Sequence, residues 1–257
     1  MGDGIIELRK PNWFAEITNN PQEMDYLIGI FNFIYDKMSY SFGQNSMQSE
    51  KCMIIRQAEY ECPMFVTHYN GLELPYPKII LKMNEYCCWA QLIYQLSHEM
   101  CHYVIRQNKV GKDVKIAWLE EILCEAYSLY MLRITAHKWV ECDLSKINAG
   151  YALSINDYLA RRLEKVGNPI DKNTTLAGFV IINEMCESQR ENHAFERNLM
   201  YTLFITHPEQ IQAIADYTNY IRENGLMIDF DEWLRDTNNN IIVKNLKEMC
   251  PYVLIYR

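Results

Sequence analysis

Two of the chain's six histidines stand four residues apart in H98-E-M-C-H102, with a glutamate beside the first. Residues four apart on a helix share a face, so His98 and His102 can bind one metal ion through neutral imidazoles. Zn2+ suits such a pair. The carboxylate of Glu99 then reaches a water bound to the ion and serves as a general base, which is the HExxH arrangement. By composition this pattern arises by chance in about one chain in a hundred of this size, so it needs support from elsewhere. A catalytic zinc takes three protein ligands and keeps a fourth position open.

The run W118-L-E-E-I-L-C-E-A-Y-S-L-Y130 supplies a candidate third ligand. Eighteen residues separate His102 from Glu121. Glu121 and Glu125 lie one helical turn apart on a common face. One can bind the metal while the other holds a histidine's remaining N–H, a carboxylate–histidine–zinc relay. Leu119, Ile122, Leu123, Ala126 and Leu129 would pack on the opposite side. A solvated glutamate face is the better reading of such a pair standing alone. Placed after a helical HExxH at this distance, that reading loses most of its weight.

The elements that must position these residues follow from patterning. Asn20-Pro21-Gln22-Glu23 is a helix start, with Asn as cap and Pro at the first helical position. The helix runs to about residue 40, with Leu27, Ile28, Phe31 and Ile34 on one face, and a polar loop over 42–50 follows. Three strand-like runs cover 52–60, 64–69 and 78–83, punctuated by Asn70-Gly71, Pro75 and Pro77. Asn84 is placed to cap a helix over 85–107 that carries the histidines. A polar break over 107–113 leads to a second helix over 117–140. Beyond Asp143 the segments 154–166, 174–188, 191–205, 208–223 and 229–236 read as helices, and 253–256 as a terminal strand. The expected fold class is α+β: a small mixed or antiparallel sheet with two metal-site helices, then a mostly helical part. The expected division is 1–142 and 143–257, forming one compact unit with a cleft between.

Composition sets limits on partners. The chain has 257 residues, enough for a substantial core, with 49% apolar and 23% charged residues. Its net charge of −8, without Lys/Arg runs, argues against nucleic acid or an anionic membrane surface as a partner. Nine cysteines with no CxxC pair read as reduced, mostly buried thiols. The opening MGDGIIELRKPNW lacks the apolar core of a signal peptide, and Ile6 stands where a myristoylation signal wants Ser or Thr. No apolar run approaches the roughly 18 residues that span a bilayer. The expected location is cytoplasmic, where the sequon Asn173-Thr174-Thr175 has no consequence.

From His98 to about Ser128 the sequence resembles the gluzincin zinc metallopeptidases, the family of thermolysin and the zinc aminopeptidases. The shared pattern is HExxH, a spacer of eighteen or more residues, then Glu-x-x-x-Asp or a close variant. W118-L-E-E121 is also similar to the Trp-Leu-Asn-Glu of zinc aminopeptidases. The resemblance implies a zincin-like core with Zn2+ held by His98, His102 and Glu121. It implies Glu99 as general base and Glu125, where the family usually has Asp, orienting the first histidine. It also implies a strand antiparallel to bound substrate before the motif helix, and K78-I-I-L-K-M83 falls there. No GAMEN-like segment precedes the motif, which favours an endopeptidase over an aminopeptidase. The family's oxyanion donor is a Tyr or His from the C-terminal part; His193, Tyr201 and His207 are candidates by position, each more simply read as structural.

Other residues carry less. Cys101 is rotated about 100° from His102 on a helix and reads as packing. Cys87-Cys88 has no evident metal partners. His68 falls in a strand run, and His137 suits a helix C-terminus. The expectation is therefore a zinc-dependent metallopeptidase acting on a peptide or protein substrate. The alternative is a catalytically inactive zinc-binding interaction protein on a peptidase-like fold, which would have no need of Glu99.

Overall fold

The structure, a computed structural model, describes residues 4–69, 71–109, 114–222 and 225–255. Asn70 of the expected turn, residues 110–113 of the expected polar break, and Tyr256 lie outside them. The chain divides into two compact units, 1–107 with 131–161 and 108–130 with 162–257. They interleave along the sequence rather than following one another across a single cut after residue 142.

The first unit contains β1 (Ile5–Glu7), β2 (Trp13–Glu16), α1 (Pro21–Phe42), α2 (Gln44–Gln48), β3 (Cys52–Arg56), β4 (Met64–Tyr69), β5 (Leu72–Leu81) and α3 (Trp89–Gln107). The last turns of α4 (Ala117–His137), three short 3-10 turns and most of α5 (Ala152–Leu163) complete it. The five strands form one mixed sheet in the order β1-β2-β3-β5-β4. β2, β3 and β5 run parallel; β1 and β4 are the antiparallel edges.

The Asn20 side chain accepts from the Gln22 N–H at 3.1 Å, so α1 starts at the predicted cap. The polar loop expected over 42–50 instead holds α2, which buries Met47; the Met47 carbonyl accepts the Trp13 indole N–H at 2.7 Å. β5 begins at Leu72, earlier than expected. Its first half pairs only with β4, so Pro75 and Pro77 leave no ladder bond to β3 unmade. The motif helix starts at Trp89 rather than 85. Its Ala90 N–H donates to the Tyr151 hydroxyl, and the side chains of Gln91 and Gln95 both donate to the Lys82 carbonyl. The last two tie the start of α3 to the residue that follows β5.

Residues 92–105 of α3 are all buried. The helix packs on α1 and on β4 and β5. Trp13, fully buried, meets Phe31, Tyr35 and Tyr103 of α3 at ring-centroid separations of 5.3, 6.5 and 4.7 Å. Each large side chain so buried stabilises by roughly 1.5–3 kcal/mol relative to exposure.

The second unit holds the first turns of α4, then α6 (Leu176–Met185), α7 (Ala194–Thr206), a 3-10 stretch (Pro208–Tyr220), α8 (Phe230–Asp236) and α9 (Ile241–Met249). α9 was not foreseen, although Asn240 caps it by accepting from the N–H groups of Ile242 and Val243. The expected terminal strand is a 3-10 turn, Tyr252–Leu254, followed by a single parallel bridge from Ile255 to Ile228. Isolated bridges of this kind satisfy one residue and cannot propagate without a sheet beside them. Among the described residues, no helix is long and apolar enough to cross a membrane.

Candidate metal centre

His98, Glu99 and His102 sit in the middle of α3, each at most 7% exposed. Helical spacing turns both imidazoles to the same side, and their Nε2 atoms face each other at 3.2 Å. Either one ring's N–H donates to the other, or both lone pairs converge on a shared cation. The Glu99 Oε1 lies 3.9 Å from His98 Nε2, and the donor atoms of all three residues lie within 4.8 Å of one another. Tyr94, one turn earlier, stacks near-parallel on the His98 ring at a centroid separation of 6.4 Å. These three residues are the group among the described ones whose donors are close enough to hold a metal ion.

The carboxylates of α4 belong to the second unit and are also buried, Glu121 at 4% and Glu125 at 2% exposure. The start of α4 is pinned by α6: the Trp118 N–H donates to the Asn183 side-chain oxygen at 3.0 Å, and the Trp118 indole packs edge-on against Phe179. Glu121 Oε2 lies 3.7 Å from Arg190 Nη2. Glu125 has Arg190 Nη1 at 3.6 Å from one oxygen, and His193 Nε2 at 3.6 Å and Arg197 Nη1 at 3.5 Å from the other. Its neighbour Glu120 instead accepts from the Tyr217 hydroxyl at 2.6 Å; burial first, then the Glu120 charge, pushes that phenol well above its ordinary range.

Of the three oxyanion candidates, His193 is buried against Glu125. Tyr201 lies on α7, half-buried. His207 follows the end of α7, 39% exposed at its side chain, with Nδ1 3.8 Å from Glu209. His68 is an exposed residue of the edge strand β4, bonded to Thr67. Cys101 is fully buried, as a packing role requires. Cys87 and Cys88 are exposed thiols; burial and the Glu85 carboxylate hold the Cys87 thiol up at about 11, which keeps it protonated and unreactive at neutral pH.

Two residues that the sequence reading passed over are Arg190 and Arg197. The signal was present. In R190-E-N-H-A-F-E-R197 the basic residues recur at i, i+3 and i+7, one face of a helix, but that face is indistinguishable from a solvated one until its partners are known. The substrate-side strand needs correction. Residues 78–81 are interior, paired to Met53–Arg56 of β3 on one side and to Met64–Val66 of β4 on the other. Both rows of backbone groups are taken there, so an extended peptide cannot add along them. The open row on that side of the sheet belongs to β4.

Compared with known proteins, the chain matches no family model, no curated protein and no solved structure.

Proposed function

We propose that the chain is a zinc-dependent metallopeptidase of the gluzincin type with a zincin-like core, and that it cleaves within a peptide or protein substrate. The observation that carries this reading is the facing pair of buried Nε2 atoms with a carboxylate beside them. Two Zn–N bonds of about 2.0–2.1 Å at a tetrahedral angle separate the nitrogens by about 3.3–3.4 Å. The observed 3.2 Å fits a shared zinc. His98 and His102 would be two ligands. Glu121 is the third by its spacing and by the resemblance.

Arg190 faces both Glu121 and Glu125, and Glu125 has further basic neighbours. Glu125 already faces two guanidinium groups and a histidine, and a further cation there would be repelled. Glu125 holds the basic face of residues 190–197, and by the resemblance it would also orient His98.

Bound zinc supplies Lewis acidity, polarising a carbonyl and lowering the pKa of water. Glu99 takes the attacking water's proton and returns it to the departing amine nitrogen. The burial of Glu99 excludes bulk water and strengthens each of its electrostatic contacts. The substrate backbone would lie along the open edge of β4.

Glu99→Gln tests the reading. It should reduce hydrolysis of a peptide library by at least about 100-fold while leaving zinc content unchanged. Wild-type protein with full zinc and no hydrolysis that depends on Glu99 would instead favour the interaction protein.

A further inference from the structure

The last helices of the second unit fold around a cleft of about 760 Å³, a volume within the range that takes small molecules. Its lining comes from α8, α9, the turn between them, the residues just after α9, and Lys172. The turn is set by local chemistry. Asn238 and Asn239 both take positive φ, 53° and 58°, a conformation that asparagine adopts more readily than most residues. The Asn239 N–H returns to the Leu234 carbonyl at 2.7 Å, and α9 then starts at its Asn240 cap. α9 is amphipathic. Ile242, Val243, Leu246 and Met249 are buried, while Ile241, Lys244 and Glu248, at i, i+3 and i+7, share the face that lines the cleft. Lys172 is brought in by its carbonyl, which accepts the Tyr252 N–H at 2.9 Å.

The wall of the cleft is apolar and its rim is charged. Leu234, Ile241 and Ile255 are half-buried where they line it, and the Tyr252 ring, 51% exposed, adds an aromatic side. Lys247 bridges α9 to Asp231 of α8 at 2.6 Å, so the charges of that pair cancel. Lys172 and Lys244 are exposed and have no ion-pair partner among the described residues. Against these two cations the lining sets one further carboxylate, Glu248, a local balance of +1 in a chain of net charge −8. A purely apolar ligand would leave the two ammonium groups unused, and a bare inorganic anion would leave the wall in water. An apolar body with an anionic head uses both, with hydrocarbon on Leu234, Ile241 and Ile255 and the head at the lysine tips.

We propose that this cleft binds a small amphipathic carboxylate, a free alkyl chain with one anionic head, held by Lys172 and Lys244. It uses no residue of the candidate metal centre. Burial of the chain supplies most of the affinity, about fourfold for each methylene removed from water. The two lysines select the sign of the head group.

Isothermal titration calorimetry of the full chain with octanoate, decanoate, octanol and octylammonium tests this. Decanoate should bind about 15-fold more tightly than octanoate, from its two extra methylenes. Octanoate should bind more tightly than octanol, and octylammonium most weakly. The double variant Lys172→Gln/Lys244→Gln changes two exposed side chains; it should weaken octanoate about tenfold and leave octanol unchanged. Ile241→Glu places a carboxylate on the wall, at a helix start that favours one, and should abolish octanoate binding. If Ile241→Glu does not fold, as read from its melting temperature, the lysine variant decides alone. Decanoate that fails to bind at millimolar concentration overturns the proposal. Binding that the variants leave unchanged also overturns it, because the contact then lies elsewhere on the chain. Equal affinity for octanol and octanoate overturns it too, because the lysines then select nothing.

Discussion

At the scale of residues, the buried arginine Arg197 shapes the fold of the second unit. Arg197 is buried, donates to three backbone or side-chain oxygens and faces buried Glu125. Removing Arg197 takes away one of the basic neighbours of buried Glu125 and strips the Arg162 and Lys165 carbonyls of a donor, at a cost of about 3–5 kcal/mol. Arg197→Ala is therefore predicted to lower the urea unfolding free energy by about that amount. A loss below about 1 kcal/mol would place Arg197 among ordinary surface pairs. HExxH was legible because ligand spacing and helix periodicity are both local. Arg190 and Arg197 were not, because their partners lie on α4, some seventy residues earlier in the chain, and only packing identifies them.

At the scale of elements, α7 carries a titration into the fold. Glu196 is fully buried; one oxygen accepts the Ile170 N–H at 2.6 Å, and the other has no hydrogen-bond partner among the described residues. Burial is the largest influence on this carboxyl and raises its pKa, against the lowering effect of the Ile170 bond and of His193. The folded chain then keeps this proton to higher pH than the unfolded chain does. Its contribution is fully present below the unfolded value of about 4.3 and is lost as pH rises through the folded value. Glu196→Gln cannot ionise and keeps the carbonyl that accepts from Ile170. Relative to wild type it should be more stable at pH 7 than at pH 4, as read from melting temperatures at both. A difference that does not change with pH would contradict this account of Glu196.

Sequence patterning placed α1, α3 and α4 because caps and periodicity are properties of a short stretch. It misplaced the open edge of the sheet, because the β5-β4 inversion that makes β4 the edge is a choice of pairing, invisible in either strand alone. The burial of α3 was not legible either, because Gln95, His98, Glu99 and His102 mark a polar face that reads as solvent-facing.

At the scale of the molecule, the proposed function starts from the facing histidines of α3. Its central claim is that three protein ligands hold one zinc. The direct measurement is zinc per chain, by elemental analysis of protein purified without added metal, in wild type and in Glu121→Ala. The account predicts about one zinc per wild-type chain and a large loss in the variant. A folded wild type that carries no zinc and takes up none when it is supplied would contradict it. The facing histidines of α3 would then be a hydrogen-bonded pair and nothing more.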